Sequence, residues 1–119
     1  MTRARPSLTS FRFRPALTGV LCASVIAFAT NAGAASAAAI EINKFAFAPK
    51  EITVTPGTNV VWTNHDETPH TIAASDKSFA SKGLDTDDKY EHTFDAEGDF
   101  TYVCTLHPFM TGVVHVRKK

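Results

Sequence analysis

The sequence predicts an all-β fold, a sandwich of short antiparallel strands, and three observations predict it. After residue 38, apolar and polar residues alternate in short runs. The runs are bounded by Gly, Pro, Asn or Asp. No segment of that part carries a convincing helical period. Taken in order, Ile40 and Ile42 alternate with Glu41 and Asn43, and Ile52 and Val54 flank Thr53 ahead of the turn signal Pro56-Gly57. Further strands are expected at Asn59 to Thr63, His70 to Ala73, Tyr90 to Phe94, Phe100 to Cys104 and Val113 to Val116. A period of two places Phe100, Tyr102 and Cys104 on one face and Thr101 and Val103 on the other, so Cys104 leaves its strand beside an aromatic core.

The residues before this region read differently. Arg3, Arg5, Arg12 and Arg14 precede an apolar stretch from about Ala16 to Ala29, and small residues follow, which is the pattern of a secretory signal peptide. Ala32-Gly33-Ala34 and Ala35-Ser36-Ala37 are candidate cleavage signals. The expectation is a leader over residues 1–37 and one domain over 38–119. No Arg-Arg pair signals the twin-arginine route, so a Sec-type leader and a periplasmic destination are expected. The apolar stretch is short for a membrane span, which needs about 20 residues, and no stable membrane insertion is expected after cleavage. An uncleaved anchor is the alternative. The remaining length suits one domain with a modest core.

Removing the leader changes the charge and the cysteine count. The whole chain has 12 basic and 12 acidic residues. The four leader arginines leave eight basic residues against twelve acidic ones, a net charge of −4, which argues against nucleic acid as a partner. Asp85, Asp87, Asp88 and Glu91 cluster, and a solvated loop explains them better than a binding site. Cys22 departs as well, leaving Cys104 without a disulfide partner in an oxidising compartment, and metal ligation explains a lone thiol there.

The segment Cys104-Thr105-Leu106-His107-Pro108-Phe109-Met110 spaces a thiolate, an imidazole and a thioether three residues apart on a loop that follows a strand. Soft sulfur ligands with imidazole favour copper over magnesium, calcium or manganese, which prefer oxygen. A second imidazole must come from elsewhere, and His70, in Thr68-Pro69-His70-Thr71-Ile72, is the candidate. His70, Cys104 and His107 with Met110 as a weak axial ligand make the inventory of a blue-copper electron-transfer centre, with one copper per chain. His65, His92 and His115 are expected in structural roles, and Trp62 in the core.

The segment from Ala39 to Val116 resembles the cupredoxins, the blue type 1 copper proteins, and is most like their amicyanin group, near plastocyanin and pseudoazurin. The resemblance rests on Phe45-Ala46-Phe47-Ala48-Pro49, Glu51-Ile52-Thr53-Val54, Val61-Trp62-Thr63-Asn64, Pro69-His70, Gly98-Asp99-Phe100-Thr101-Tyr102-Val103-Cys104 and the ligand loop. The short Cys-x-x-His-x-x-Met spacing is the amicyanin-like feature. It implies a Greek-key β-sandwich, with His70, Cys104 and His107 as strong ligands and Met110 as the long axial one.

Two positions depart from that pattern. Leu106 stands where relatives commonly carry proline and keeps its N–H, so it is expected to donate a hydrogen bond to the Cys104 sulfur beside one from the Thr71 backbone. Thr71 stands where asparagine often follows the first histidine, and its hydroxyl is expected to tie the two ligand loops less firmly. Four protein ligands leave no open position for a substrate, so an enzyme is not expected. The expected role is a monomeric, exported carrier of single electrons between a donor and an acceptor protein, cycling between Cu(I) and Cu(II). Pro108 and Phe109 are expected in its docking patch. The alternative is a copper-trafficking or copper-resistance protein, against which stands the scarcity of methionine after the leader, Met110 alone.

Overall fold

The computed structural model describes residues 36–119 and the isolated positions 10, 12 and 19. The expected leader therefore falls outside the described residues, apart from those positions and its last two residues. Residues 36–119 carry eight strands: β1 (Ala37–Asn43), β2 (Ala46–Ala48), β3 (Glu51–Val54), β4 (Thr58–Asn64), β5 (Ala73–Ala74), β6 (Lys89–Phe94), β7 (Gly98–Val103) and β8 (Thr111–Val116). There is no helix among them. One sheet has the order β2-β1-β4-β6 and the other β3-β8-β7-β5. The chain changes sheet between β2 and β3 and again between β3 and β4, which makes a Greek-key sandwich.

Strand direction is where the expectation of a purely antiparallel sandwich fails. β1 runs parallel to β4, pairing Ile40 with Trp62, and β3 runs parallel to β8, pairing Val54 with Val116. The other pairings are antiparallel. A period of two reports which face is buried and is the same for either direction, so the pattern is blind to this choice. The strand expected at His70 to Ala73 is also absent as such. His70 makes a single bridge to Leu84, and regular pairing starts only at Ala73. The reason is visible in burial: His70, Thr71 and Ile72 are buried one after another, whereas a strand would alternate them.

The core lies between the sheets. Ile40, Ile42, Val60, Trp62 and Phe94 come from one sheet, and Val54, Tyr102, Val114 and Val116 from the other. Trp62 and Tyr102 meet edge to face across the interface, with ring centroids 5.4 Å apart. Tyr102 also covers Gly112, its cross-strand neighbour, where a Cβ would stand 2.3 Å from the ring. Among the described residues, Trp62 Nε1 and Tyr102 Oη are buried without hydrogen-bond partners, and burial pushes the Tyr102 hydroxyl up to about 12. Among the described residues, no Asp, Glu, Lys or Arg is buried in the core behind Cys104. Phe100, Tyr102 and Cys104 do share the inward face, as their alternation requires.

Candidate metal centre

The loop after β7 is built from its own backbone. The His107 N–H donates to the Cys104 carbonyl at 3.3 Å and the Met110 N–H to the His107 carbonyl at 2.9 Å, two successive four-residue turns. The Cys104 N–H closes the base by donating to the Met110 carbonyl at 3.0 Å. Pro108 occupies the second position of the second turn, where its fixed φ is favoured. Three-residue spacing thus repeats one local geometry. Cys104 and Met110 are buried, His107 is half-buried, and Leu106 and Phe109 face outward.

The loop after β4 is braced instead by side chains. Asn64, fully buried, donates its amide to the carbonyls of Thr68 and Leu84 at 3.0 and 2.9 Å, and its Oδ1 accepts the Asp66 N–H at 2.9 Å. Asp66 then makes a three-way link. It accepts the N–H groups of Lys44 and Phe45 at 2.7 and 2.9 Å, and its Oδ2 lies 2.8 Å from His70 Nε2. Lys44 and Phe45 form the two-residue turn between β1 and β2 with φ of 52° and 56°, a left-handed turn built without glycine or asparagine. The Asp66 carboxylate stabilises that turn. With Nε2 against Asp66, His70 turns its Nδ1 inward toward Cys104 Sγ, where it would offer a lone pair to a bound ion.

These two loops meet at sulfur. Cys104 Sγ lies 3.8 Å from His70 Nδ1 and 3.7 Å from His107 Nδ1, and the three atoms all lie within 4.8 Å of one another. One ion could meet all three atoms at these separations, and a soft sulfur with two imidazoles is a donor set that suits copper. The Thr71 N–H donates to Sγ at 3.3 Å, as expected. Burial raises the Cys104 pKa, but the Thr71 N–H, the two imidazoles and the Leu106 N–H more than offset it and bring the thiol down to about 6. The Leu106 effect has the expected sign, yet its N–H does not form a bond of full geometry to sulfur; it is the weakest of these influences. Asp66 is opposed by burial too, and the Phe45 and Lys44 N–H groups and His70 hold it below the usual carboxylate range.

Thr71 does more than its hydroxyl promised. Its Oγ1 accepts the Thr105 N–H at 2.8 Å and lies 2.7 Å from Thr105 Oγ1 and 3.8 Å from Sγ. Phe45, exposed at 41%, sets its ring edge to face on both imidazoles, 5.2 Å from His70 and 5.1 Å from His107. Sequence reasoning missed Asp66, Asn64, Thr105 and Phe45 in these roles. An acid four residues before a histidine in a loop is no recognisable signal, and Asn64 reads as an ordinary strand end. The remaining histidines are elsewhere: His65 pairs with Glu41, His92 stacks on Phe79 at 4.7 Å, and His115 pairs with Asp99 at 2.6 Å.

Comparison with known proteins agrees with this geometry. Residues 34–117 match the family model for copper binding proteins of the plastocyanin/azurin family. Amicyanin from Paracoccus versutus is 33% identical over 69% of this chain, and the match spans 66% of that protein's length. Its crystal structure superposes with a TM-score of 0.63 over 71% of this chain and 84% of that one. A purple cupredoxin from Nitrosopumilus maritimus superposes with a TM-score of 0.64 at 34% identity, covering 67% of this chain and 99% of that one. A sandwich whose two end loops bring a buried thiol and two imidazoles together, in a chain that matches across the domain, belongs to the plastocyanin/azurin family of copper binding proteins, and copper is its cofactor.

Proposed function

We propose that this protein is a small exported carrier of single electrons between redox proteins, with His70, Cys104 and His107 as the strong copper ligands and Met110 as the weak axial one. The observation that carries the reading is the closed donor set: three ligand atoms within 4.8 Å, backed by a buried thioether on the same loop. Bound copper supplies a one-electron couple between Cu(I) and Cu(II). The chain's own groups do the rest. Asp66 and the Phe45 ring hold His70 in one orientation, and the uncharged core behind Cys104 excludes water, so the ligands change little between the two states. His107, half-buried with the Phe45 and Phe109 rings beside its imidazole, is the ligand nearest the exterior and the exit for the electron.

Docking on this scheme uses the apolar rim. Leu106 is 56% and Phe109 71% exposed, and Pro108 lies between His107 and Phe109. Such side chains around a half-buried ligand suit a transient partner. A Sec-type leader over about residues 1–37 would deliver the domain to the periplasm. β1 begins at Ala37, paired with Asn59, so cleavage after Ala34 keeps that strand whole and cleavage after Ala37 removes its first rung. The test is spectroscopic: the copper-loaded protein should show an intense blue absorption, be reduced and reoxidised reversibly, and exchange electrons with a redox protein. A colourless, readily exchanged ion would overturn the carrier reading in favour of copper delivery.

A further inference from the structure

We infer that the Thr71 hydroxyl is a second hydrogen-bond donor to the Cys104 sulfur, and that the Thr105 hydroxyl donates to Thr71 rather than accepting from it. A hydroxyl has one hydrogen and two lone pairs. Thr71 Oγ1 has three neighbours to divide among them: the Thr105 N–H at 2.8 Å, which can only donate, Thr105 Oγ1 at 2.7 Å, and Cys104 Sγ at 3.8 Å. The hydrogen of Thr71 can go to Thr105 or to sulfur, and the surroundings decide which.

Thr105 is exposed and its oxygen has water to accept from, so nothing obliges it to take the Thr71 hydrogen. Thr71 is buried, and an ionised sulfur attracts a hydrogen more strongly than a neutral hydroxyl does. With the Thr105 N–H and O–H both donating, the two lone pairs of Thr71 are filled and its hydrogen is left for sulfur. One residue then gives the thiolate two hydrogen bonds, from its N–H at 3.3 Å and its O–H at 3.8 Å. Both draw electron density from the sulfur and favour the reduced site. Threonine at this position thereby joins the two loops and tunes the potential through the same oxygen.

This rests on copper bound by Cys104, and the test separates the two. In the copper-loaded protein, the reduction potential is measured together with the shift of the copper–sulfur stretching band on exchange into heavy water, which registers hydrogen bonds to sulfur. Thr71→Val should lower the potential and diminish the deuterium shift, and Thr71→Ser, which restores the hydroxyl, should recover both. Thr105→Val leaves sulfur as the acceptor for the Thr71 hydrogen and should raise neither. A Thr105→Val protein with a higher potential and a larger shift would show that the hydrogen normally points to Thr105, and would overturn the inference. So would Thr71→Val with wild-type values. Should Thr71→Val not fold, Thr105→Val decides by the same two readings. A wild-type protein that binds copper without blue colour overturns the site itself and the inference with it.

Discussion

The two ligand loops solve one problem in opposite ways. The loop after β7 places Cys104, His107 and Met110 by repeating one turn of its own backbone, and its most exposed apolar side chains, Leu106 and Phe109, fill no part of the core. The loop after β4 places a single ligand, His70, and needs Asn64, Asp66 and the β1–β2 turn to do it. Local spacing suffices where ligands come from one segment. A ligand from a distant segment must be tied down by groups that are themselves tied down, and that is where buried polar side chains collect. The first loop is thereby open to change at its surface, and the second is sensitive at positions that touch no metal.

The largest expected effect breaks the comparison at the atom both loops share. Cys104→Ser should abolish the blue absorption while leaving the sandwich folded, checked by visible spectroscopy and far-ultraviolet circular dichroism. The next effect falls on the braced loop. Asn64→Ala takes the donor from the Thr68 carbonyl, leaves the Leu84 carbonyl with the His70 N–H alone, removes the acceptor of the Asp66 N–H, and should cost about 2–4 kcal/mol of stability in urea denaturation. An equally stable Asn64→Ala protein would show that the bracing is ornamental.

Asp66→Ala should separate positioning from ligation. His70 would keep its Nδ1 but lose the partner that orients the ring, so copper affinity should fall by about 10- to 100-fold in a competition titration. No such loss is expected for Thr105→Val on the other loop. The thiol gives the pH counterpart, measured on metal-free protein. Cys104 ionises at about 6 in the fold and at about 8.5 when unfolded. A depressed folded value means that the ionised thiol contributes stability above the unfolded value, and that this is lost as pH falls through 6. The stability difference between wild type and Cys104→Ala should therefore widen in favour of wild type from pH 6 to pH 9.

The same division explains what could be read from the chain. The turn-built loop was legible because its information is contiguous: three donor side chains at equal spacing after an alternating run. Alternation likewise placed Phe100, Tyr102 and Cys104 on the inward face. The braced loop was not legible beyond His70, because Asp66 acts through residues 21 and 22 positions away in the chain, and nothing local marks that pairing. Strand direction was hidden for a related reason. β1 and β4 are brought side by side by strands in between, and alternation carries no sign for parallel or antiparallel. Thr71 was legible as a departure, but its bond to the Thr105 backbone appeared only when both loops were in place.

The smallest structural effect tests whether the surface freedom of the turn-built loop is used for docking. Phe109 is 71% exposed with its ring 6.0 Å from that of His107, and it fills no part of the core. Phe109→Asp should leave absorption, potential and stability at wild-type values and weaken electron exchange with a protein partner by about tenfold, the loss of ~1–2 kcal/mol expected of an apolar contact residue. The aspartate also adds a negative charge, which slows exchange with an acidic partner without any apolar docking. Salt separates the causes, because charge repulsion between exposed groups is screened at high ionic strength and lost apolar contact is not. Phe109→Ala removes the contact and adds no charge. Slow exchange in both variants at high salt assigns Phe109 to the docking face, and rates restored by salt in the aspartate variant, with alanine near wild type, would remove it.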